Sequence, residues 1–249
     1  YVSTLVSKKF KEIKLMRINF KGKTALITGA SDGIGKTIFN DFKKLGAKVI
    51  GTCNQKKMRG LIQVDFNDTR SVKKFLEKIN KYKKIDILIN NAGTNILNPV
   101  NKLIENDIYK LIKINTVVPT LITKVISKKM IKNRYGRIIN MCSIFGEITK
   151  EKRVLYNITK FGLNGLTKGS AIDLAKSQIL VNSISPGFVS TKLTKKILGK
   201  KINTLKKEIP LKRLAYSDEI SRIVLFLASD LNTYLTGQNI IVDGGFTSK

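Results

Sequence analysis

The chain has 249 residues, 42% of them hydrophobic, enough to bury one large core and within the size at which an α/β protein stays a single domain. Its net charge of +30 comes from 39 Lys and 8 Arg against 17 acidic residues, spread along the whole chain beside 34 Ile and 20 Asn. Dedicated phosphate-reading surfaces favour the planar Arg fork, so this excess reads as solvated lysines that steer acidic partners rather than as a nucleic-acid or membrane surface. The absence of histidine excludes a histidine triad, a histidine zinc site and a histidine base; Cys53 and Cys142 have no metal-like spacing and read as small buried side chains in a reducing cytoplasm. No apolar run approaches the ~20 residues of a membrane span.

In chain order, residues 1–15 are basic, with no apolar stretch or cleavage site of a secretory signal, and are expected to be a disordered or non-native extension ahead of a natural start at Met16. The folded unit is then 16–249. Residues 24–28 are a short apolar strand running into glycines, and 33–45 carry helical spacing at Ile34, Ile38, Phe42 and Leu45, closed by Gly46. Strands follow at 47–52 and 61–64, separated by about ten residues, too few for a crossover helix. A charged amphipathic helix is expected over 71–82 and a buried strand over 85–89, ending at Asn90-Asn91-Ala92-Gly93. A long helix over 105–132, broken near Pro119, leads to a strand at 137–141; residues 152–176 form the helix that holds Tyr156, and 179–184 a strand ended by Pro186-Gly187. The Lys-rich stretch 191–208 is weakly helical and expected to act as a lid, 217–229 is a capped helix, and 239–242 is the last strand before Asp243-Gly244-Gly245. Seven strands alternating with helices predict an α/β fold, a parallel sheet covered on both faces.

The turn after the first strand reads G-A-S-D-G-I-G, with Gly29, Gly33 and Gly35 framing Ser31, Asp32 and Ile34. A dinucleotide's pyrophosphate needs free N–H groups, a helix N-terminus and glycines where a side chain would block its approach, which this turn offers. Asn91, Ala92 and Gly93, after the fourth strand, should line the same crevice. The second strand ends at Thr52-Cys53-Asn54-Gln55, followed by Lys56 and Lys57, with no carboxylate to grip a ribose 2′-hydroxyl; that favours NADP(H) over NAD(H), although Asp32 stands where a basic residue would have helped a 2′-phosphate. Asp65, with Phe66 beside it, is either an adenine contact or a turn cap. Tyr156 and Lys160 lie four apart in Y-N-I-T-K, on one face of a helix, where the ammonium favours phenolate and equips Tyr156 to trade a proton near neutral pH.

These pieces occur in a telling order: T-G-A-S-D-G-I-G, N-N-A-G, Asn115 in K-I-N-T, Ser143 in N-M-C-S, Y-N-I-T-K, P-G-F-V-S-T and D-G-G. Over residues 18–246 the chain thereby resembles the short-chain dehydrogenase/reductase family. The resemblance implies a single-domain Rossmann fold, a doubly wound seven-stranded parallel sheet with helices on both faces. It implies Tyr156 as acid/base, Lys160 as its supporting cation and ribose ligand, Ser143 as the carbonyl's hydrogen-bond partner, and Asn115 as holder of a water through which Lys160 exchanges protons. Pro186, Gly187, Val189 and Thr191 would face the nicotinamide, Thr191 bonding its carboxamide or else capping a helix. I-P-L-K-R-L, D-E-I, F-L-A-S-D and Y-L-T-G-Q, between Ile209 and Gln238, most resemble 3-oxoacyl-[acyl-carrier-protein] reductases. The leading expectation is NADPH-dependent reduction of a 3-oxoacyl thioester, with Arg134 and the lysines attracting an acidic carrier; the turn 175–178 lacks the arginine expected of a carrier-binding reductase. The alternative is NAD-dependent oxidation of a sugar, polyol or cyclic alcohol. A catalytically idle nucleotide-sensing or nucleic-acid-binding relative is the reading from another class, and a homotetramer is implied through the long helices.

Overall fold

The computed structural model describes residues 18–54, 58–192, 194 and 199–248. The extension over 1–15, the Met16 start, Lys56, Lys57 and part of the lid lie outside the described residues. The strands are β1 (Thr24–Ile27), β2 (Lys48–Cys53), β3 (Leu61–Gln63), β4 (Ile87–Asn90), β5 (Gly136–Met141), β6 (Ile179–Pro186) and β7 (Asn239–Val242). All pair in parallel, in the spatial order β3-β2-β1-β4-β5-β6-β7. The described helices are α1 (Gly33–Lys44), α2 (Thr69–Asn80), α3 (Glu105–Ile112), α4 (Val118–Asn133), α5 (Val154–Leu174), α6 (Ile202–Glu208) and α7 (Ser217–Ala228). The expected doubly wound Rossmann architecture is the one observed.

Alternation along the central strands builds two cores. Leu26, Leu88, Ile138 and Val181 point to the face covered by α2, α4 and α5, where Phe75, Ile79, Ile122, Ile126 and Leu174 meet them. Their neighbours Ala25, Ile27, Ile87, Ile89 and Ile139 point the other way, onto Ile38 and Phe42 of α1 and Ile220 and Val224 of α7. Because both faces are covered, these strands are near-continuously apolar rather than alternating apolar with polar. Between β1 and β4 the strand order reverses, and the carboxyl ends on either side of that switch open a crevice.

Three local differences from the expected pattern have physical causes. Asp68 accepts the Arg70 N–H at 2.9 Å, so α2 begins at Thr69, two residues earlier than its apolar spacing indicates. The long helix is interrupted at Lys113–Val117, ahead of Pro119, by a π turn in which the Val118 N–H reaches the Lys113 carbonyl five residues back. Pro119 has no N–H for the carbonyl of Asn115, and the wider turn absorbs that vacancy one step upstream. β2 and β3 pair with Gly51 opposite Leu61, and the described residues between the strands contain no helix, as the short spacing requires.

The entry to α7 is fixed by Glu219, which accepts two bonds from the Arg213 fork at 2.7 and 2.8 Å and the Tyr216 N–H at 2.7 Å. The Arg213 bonds, then the Tyr216 N–H, hold the Glu219 carboxyl down to about 2. A lowered folded value means the contribution is complete above the ordinary carboxylate range and fades as pH falls toward 2. Glu219→Gln should therefore melt below the parent at pH 7, and thermal scans should show the gap closing between about pH 4.5 and pH 2; a gap that persists at pH 2 would assign it to packing instead.

Candidate active site

The crevice is a cavity of about 710 Å³, within the roughly 300–1,000 Å³ of small-molecule and cofactor sites. One end is the turn between β1 and α1. Asp32 caps α1 by accepting the Gly33 N–H at 2.8 Å, and its other oxygen is 3.9 Å from Lys192 Nζ. The N–H groups of Ile34 and Gly35 in the first helical turn have no acceptor within the helix, and both residues line the cavity. Gly29 has φ +67°, and a Cβ there would stand 3.0 Å from Ala92 Cα. A Cβ on Gly35 would collide with the Gly29 carbonyl and the Asn91 amide.

Across the switch, Asn91 joins the two strand ends. Its Nδ2 donates to the carbonyls of Thr28 and Gly29 at 2.9 and 3.1 Å, while the Thr28 hydroxyl accepts the N–H groups of Asn91 and Ala92 at 2.9 Å each. Behind it, Asn90 donates to Asn140 at 2.8 Å and to Thr123 at 3.2 Å, and Asn140 donates to Thr167 at 2.9 Å, tying β4 and β5 to α4 and α5. The pocket walls are thus set by buried side-chain amides.

At the other end, Tyr156 and Lys160 share one face of α5. The Lys160 ammonium lies 5.5 Å from the centre of the Tyr156 ring and donates to the Met141 carbonyl at 2.8 Å; the residue is only 5% exposed. Ser143, just past β5, has its Oγ accepting the Phe145 N–H at 3.2 Å, which leaves the hydroxyl hydrogen for a ligand. Burial pushes the neighbouring Cys142 thiol up to about 11, with the Lys160 charge pulling the other way, so this cysteine is no nucleophile near neutral pH.

Of the residues singled out in the sequence, Gly29, Ser31, Asp32, Gly33, Ile34, Gly35, Asn54, Asp65 and Phe66 line the cavity on the cradle side. Asn91, Ala92, Gly93, Ser143, Tyr156, Lys160, Pro186, Gly187 and Thr191 line the rest. Asp65 is also a turn cap, accepting the Asn67 N–H at 2.8 Å, and Thr191 caps a turn by accepting the Thr194 N–H at 3.2 Å. Two residues stand off the wall. Asn115, in the π turn, is 1% exposed; it accepts the Thr94 N–H and donates to the Thr94 carbonyl, each at 2.9 Å, and donates to Thr159 at 3.1 Å. Val189 is buried in the α1/α7 core and bridges to Ala215.

The wall also holds residues that sequence reasoning passed over: Thr52, whose hydroxyl takes the Gly29 N–H at 3.1 Å, the aromatic rings of Phe145 and Phe188, and Arg153. Burial holds the Arg153 guanidinium below its ordinary value, and the Tyr156 oxygen acts in the opposite direction. Its place one helical turn before Tyr156 was the available signal, since residues three apart share a face. The free first-turn N–H groups, the glycines that keep side chains out, and a polar far end fit a nicotinamide dinucleotide lying along the crevice.

A doubly wound sheet with a glycine turn at its switch point, and a Tyr-Lys pair across the crevice from it, defines a class of dinucleotide-dependent oxidoreductases. A family model described as enoyl-(acyl carrier protein) reductase matches residues 29–247. A 3-oxoacyl-[acyl-carrier-protein] reductase of Rickettsia conorii is 38% identical over 236 residues, covering 92% of this chain and 98% of that one. One from Escherichia coli is 34% identical over 241 residues, with the same coverage of both chains. Among solved structures, a gluconate 5-dehydrogenase from Burkholderia cenocepacia in complex with NADP and tartrate superposes with a TM-score of 0.87 at 27% identity, covering 94% of this chain and 98% of that chain. The chain belongs to the short-chain dehydrogenase/reductase family of NAD(P)-dependent oxidoreductases.

Gly35→Ala tests the cradle. The added methyl should cost about 1–3 kcal/mol of stability, roughly 2–10 °C in Tm, and weaken dinucleotide binding measured by titration calorimetry. Unchanged affinity and Tm would mean that the turn relaxes freely.

Proposed function

We propose that this enzyme reduces a 3-oxoacyl thioester to the 3-hydroxyacyl thioester with NADPH, the acyl group being presented by an acidic acyl carrier protein. The observation that carries this reading is the presence of Ser143, Tyr156 and Lys160 on the wall of the cavity that begins at the Gly29 to Gly35 turn. The substrate class is supported by the two 3-oxoacyl-[acyl-carrier-protein] reductases, and NADPH by the lack of a carboxylate at the end of β2 and by the NADP in the solved relative.

Bound in the crevice, the dinucleotide supplies the hydride. Tyr156 gives its hydroxyl proton to the ketone oxygen, and Ser143 donates a second hydrogen bond that steadies the charge developing there. Lys160, anchored on the Met141 carbonyl, places positive charge beside the Tyr156 oxygen as the proton leaves. Asn115 fixes the loop after Gly93 through Thr94 and holds the water that returns a proton toward Lys160. Asn54, Asp65 and Phe66 take the adenosine end, and Pro186, Gly187 and Thr191, with the backbone of Val189 beside them, the nicotinamide end.

The enzyme works as a homotetramer in the same proposal, supported by the exposed apolar stripe of Ile158, Phe161 and Ile172 on α5 and by Val117 on the π turn. Oxidation of a sugar or polyol is a second reading, favoured by the likeness to a gluconate 5-dehydrogenase. Absorbance at 340 nm, with NADPH or NADH and a panel holding acetoacetyl thioesters and sugar acids, separates the two. Thioester reduction is expected to be faster with NADPH, and Tyr156→Phe should lower kcat by roughly 10²–10⁴-fold. A Tyr156→Phe enzyme that turned over normally would overturn the assigned acid.

A further inference from the structure

Arg153 is the N-cap residue of α5, three residues before Tyr156 and seven before Lys160, so its side chain shares their face of the helix. It lines the same cavity. What holds its guanidinium is a ring, not an acceptor: Cζ lies 4.6 Å from the centre of Phe145, and Phe145 packs edge-on against Tyr156 and Phe188 with centroids 6.2 Å away in each case. Among the described residues, no carboxylate pairs with this cation and no side-chain or backbone acceptor takes its N–H groups. Arg213 is answered by Glu219, Arg222 by Asp218, and the buried Arg137 by the carbonyls of Gly136 and Asn232, while Arg59 and Arg70 are exposed to solvent. A partly desolvated cation at a catalytic wall, oriented by stacking and with its fork open, is a recognition element awaiting oxygen.

We propose that Arg153 is a specificity-determining residue that binds the carboxyl-derived oxygen two carbons from the reacting carbon, so that the substrate is a 3-oxo carboxylic acid or its thioester rather than a simple ketone. This rests on the ketone reduction at Tyr156 proposed above. The two anchors are neighbours in the cavity: Phe145 lies under the fork and packs edge-on against Tyr156, and the Tyr156 oxygen is near enough to act on the Arg153 charge, so one short 1,3-dicarbonyl unit can reach both. The ketone oxygen then sits at Tyr156 and Ser143 while the C1 oxygen meets the Arg153 fork. A free carboxylate uses both arms of the fork and supplies the missing counter-charge; a thioester carbonyl accepts from one arm only. The carboxylate is therefore the more sensitive probe of the residue.

The test compares kcat/KM for acetoacetate, an acetoacetyl thioester and 2-butanone, in the parent enzyme and in Arg153→Gln and Arg153→Lys. Arg153→Gln should lower the acetoacetate-to-butanone ratio roughly tenfold to a hundredfold, mainly through KM, and the thioester-to-butanone ratio by less. Arg153→Lys, which keeps the charge, should recover part of the acetoacetate ratio, a rescue that a packing role would not give. Calorimetric titration of acetoacetate into the NADP⁺-loaded protein should show the same ranking without turnover. Ratios unmoved by Arg153→Gln, equal losses on all three compounds, or acetoacetate binding indifferent to the substitution would overturn the proposal. Efficient thioester turnover with unmoved ratios would do so while leaving the proposed function standing. Loss of acetoacetate selectivity in Arg153→Gln, with no thioester turnover in the parent, would support Arg153 and remove the thioester.

Discussion

The joint at which β1 and β4 end together is the constraint on which the site depends. Parallel strands bring their carboxyl ends to one edge of the sheet, and at the switch point the helices leave on opposite faces, so the edge gapes there. A gap lined by main-chain ends carries many polar groups, each costly if left unpaired. Asn91 and Thr28 bond them to one another across the two strands, while leaving the N–H groups at the start of α1 open. The result is a rigid floor with donors on one side. Everything catalytic is measured from that floor, because Gly93 and Thr94 continue directly from it to Asn115, and Asn115 bonds on to Thr159 in α5.

A second constraint is the burial of the Lys160 ammonium. Taking a cation out of water is expensive unless acceptors and negative charge surround it. Here the Met141 carbonyl, at the end of β5, is one acceptor, and the Tyr156 ring supplies the nearest polarizable face. Thr167 and Asn140 hold α5 on β5, which fixes where the Lys160 side chain leaves the helix and keeps it opposite the Met141 carbonyl. The pair is therefore preorganised by packing that lies well outside the reacting centre.

How far this was legible in the sequence differs by element. The strands could be read because both faces of the sheet are buried and the runs at Ile87 and Ile138 are rich in isoleucine; β7 spans the residues its apolar run indicates. The cradle and the Tyr156-Lys160 pair could be read because each is a local spacing, four to seven residues long. The contacts of Asn115 could not, because its partners Thr94 and Thr159 are 21 and 44 residues away, and the π turn that carries it leaves no mark in the sequence beyond Pro119. Arg153 fell between the two cases. Its helical spacing to Tyr156 was visible, but among 47 basic residues a lone arginine looks like part of a solvated surplus until the Phe145 ring is seen beneath it.

The charge itself takes on a different meaning once the positions are known. Exposed lysines outside the cavity wall are screened by salt beyond ~8 Å at physiological strength, so they shape the approach of an anionic partner and not the chemistry within. The cations that line the cavity act at contact range, where screening is weak. Lys160 is tied to Met141, and Lys192 is within 3.9 Å of Asp32 at the cradle. Of the other two cations on the wall, Lys110 is exposed to solvent, whereas the half-buried Arg153 has no oxygen of the described chain to answer it. A site that ties its buried ammonium to a carbonyl, yet leaves one half-buried guanidinium over a ring and open a turn away from its acid, selects for ligands that bring an oxygen of their own to that spot.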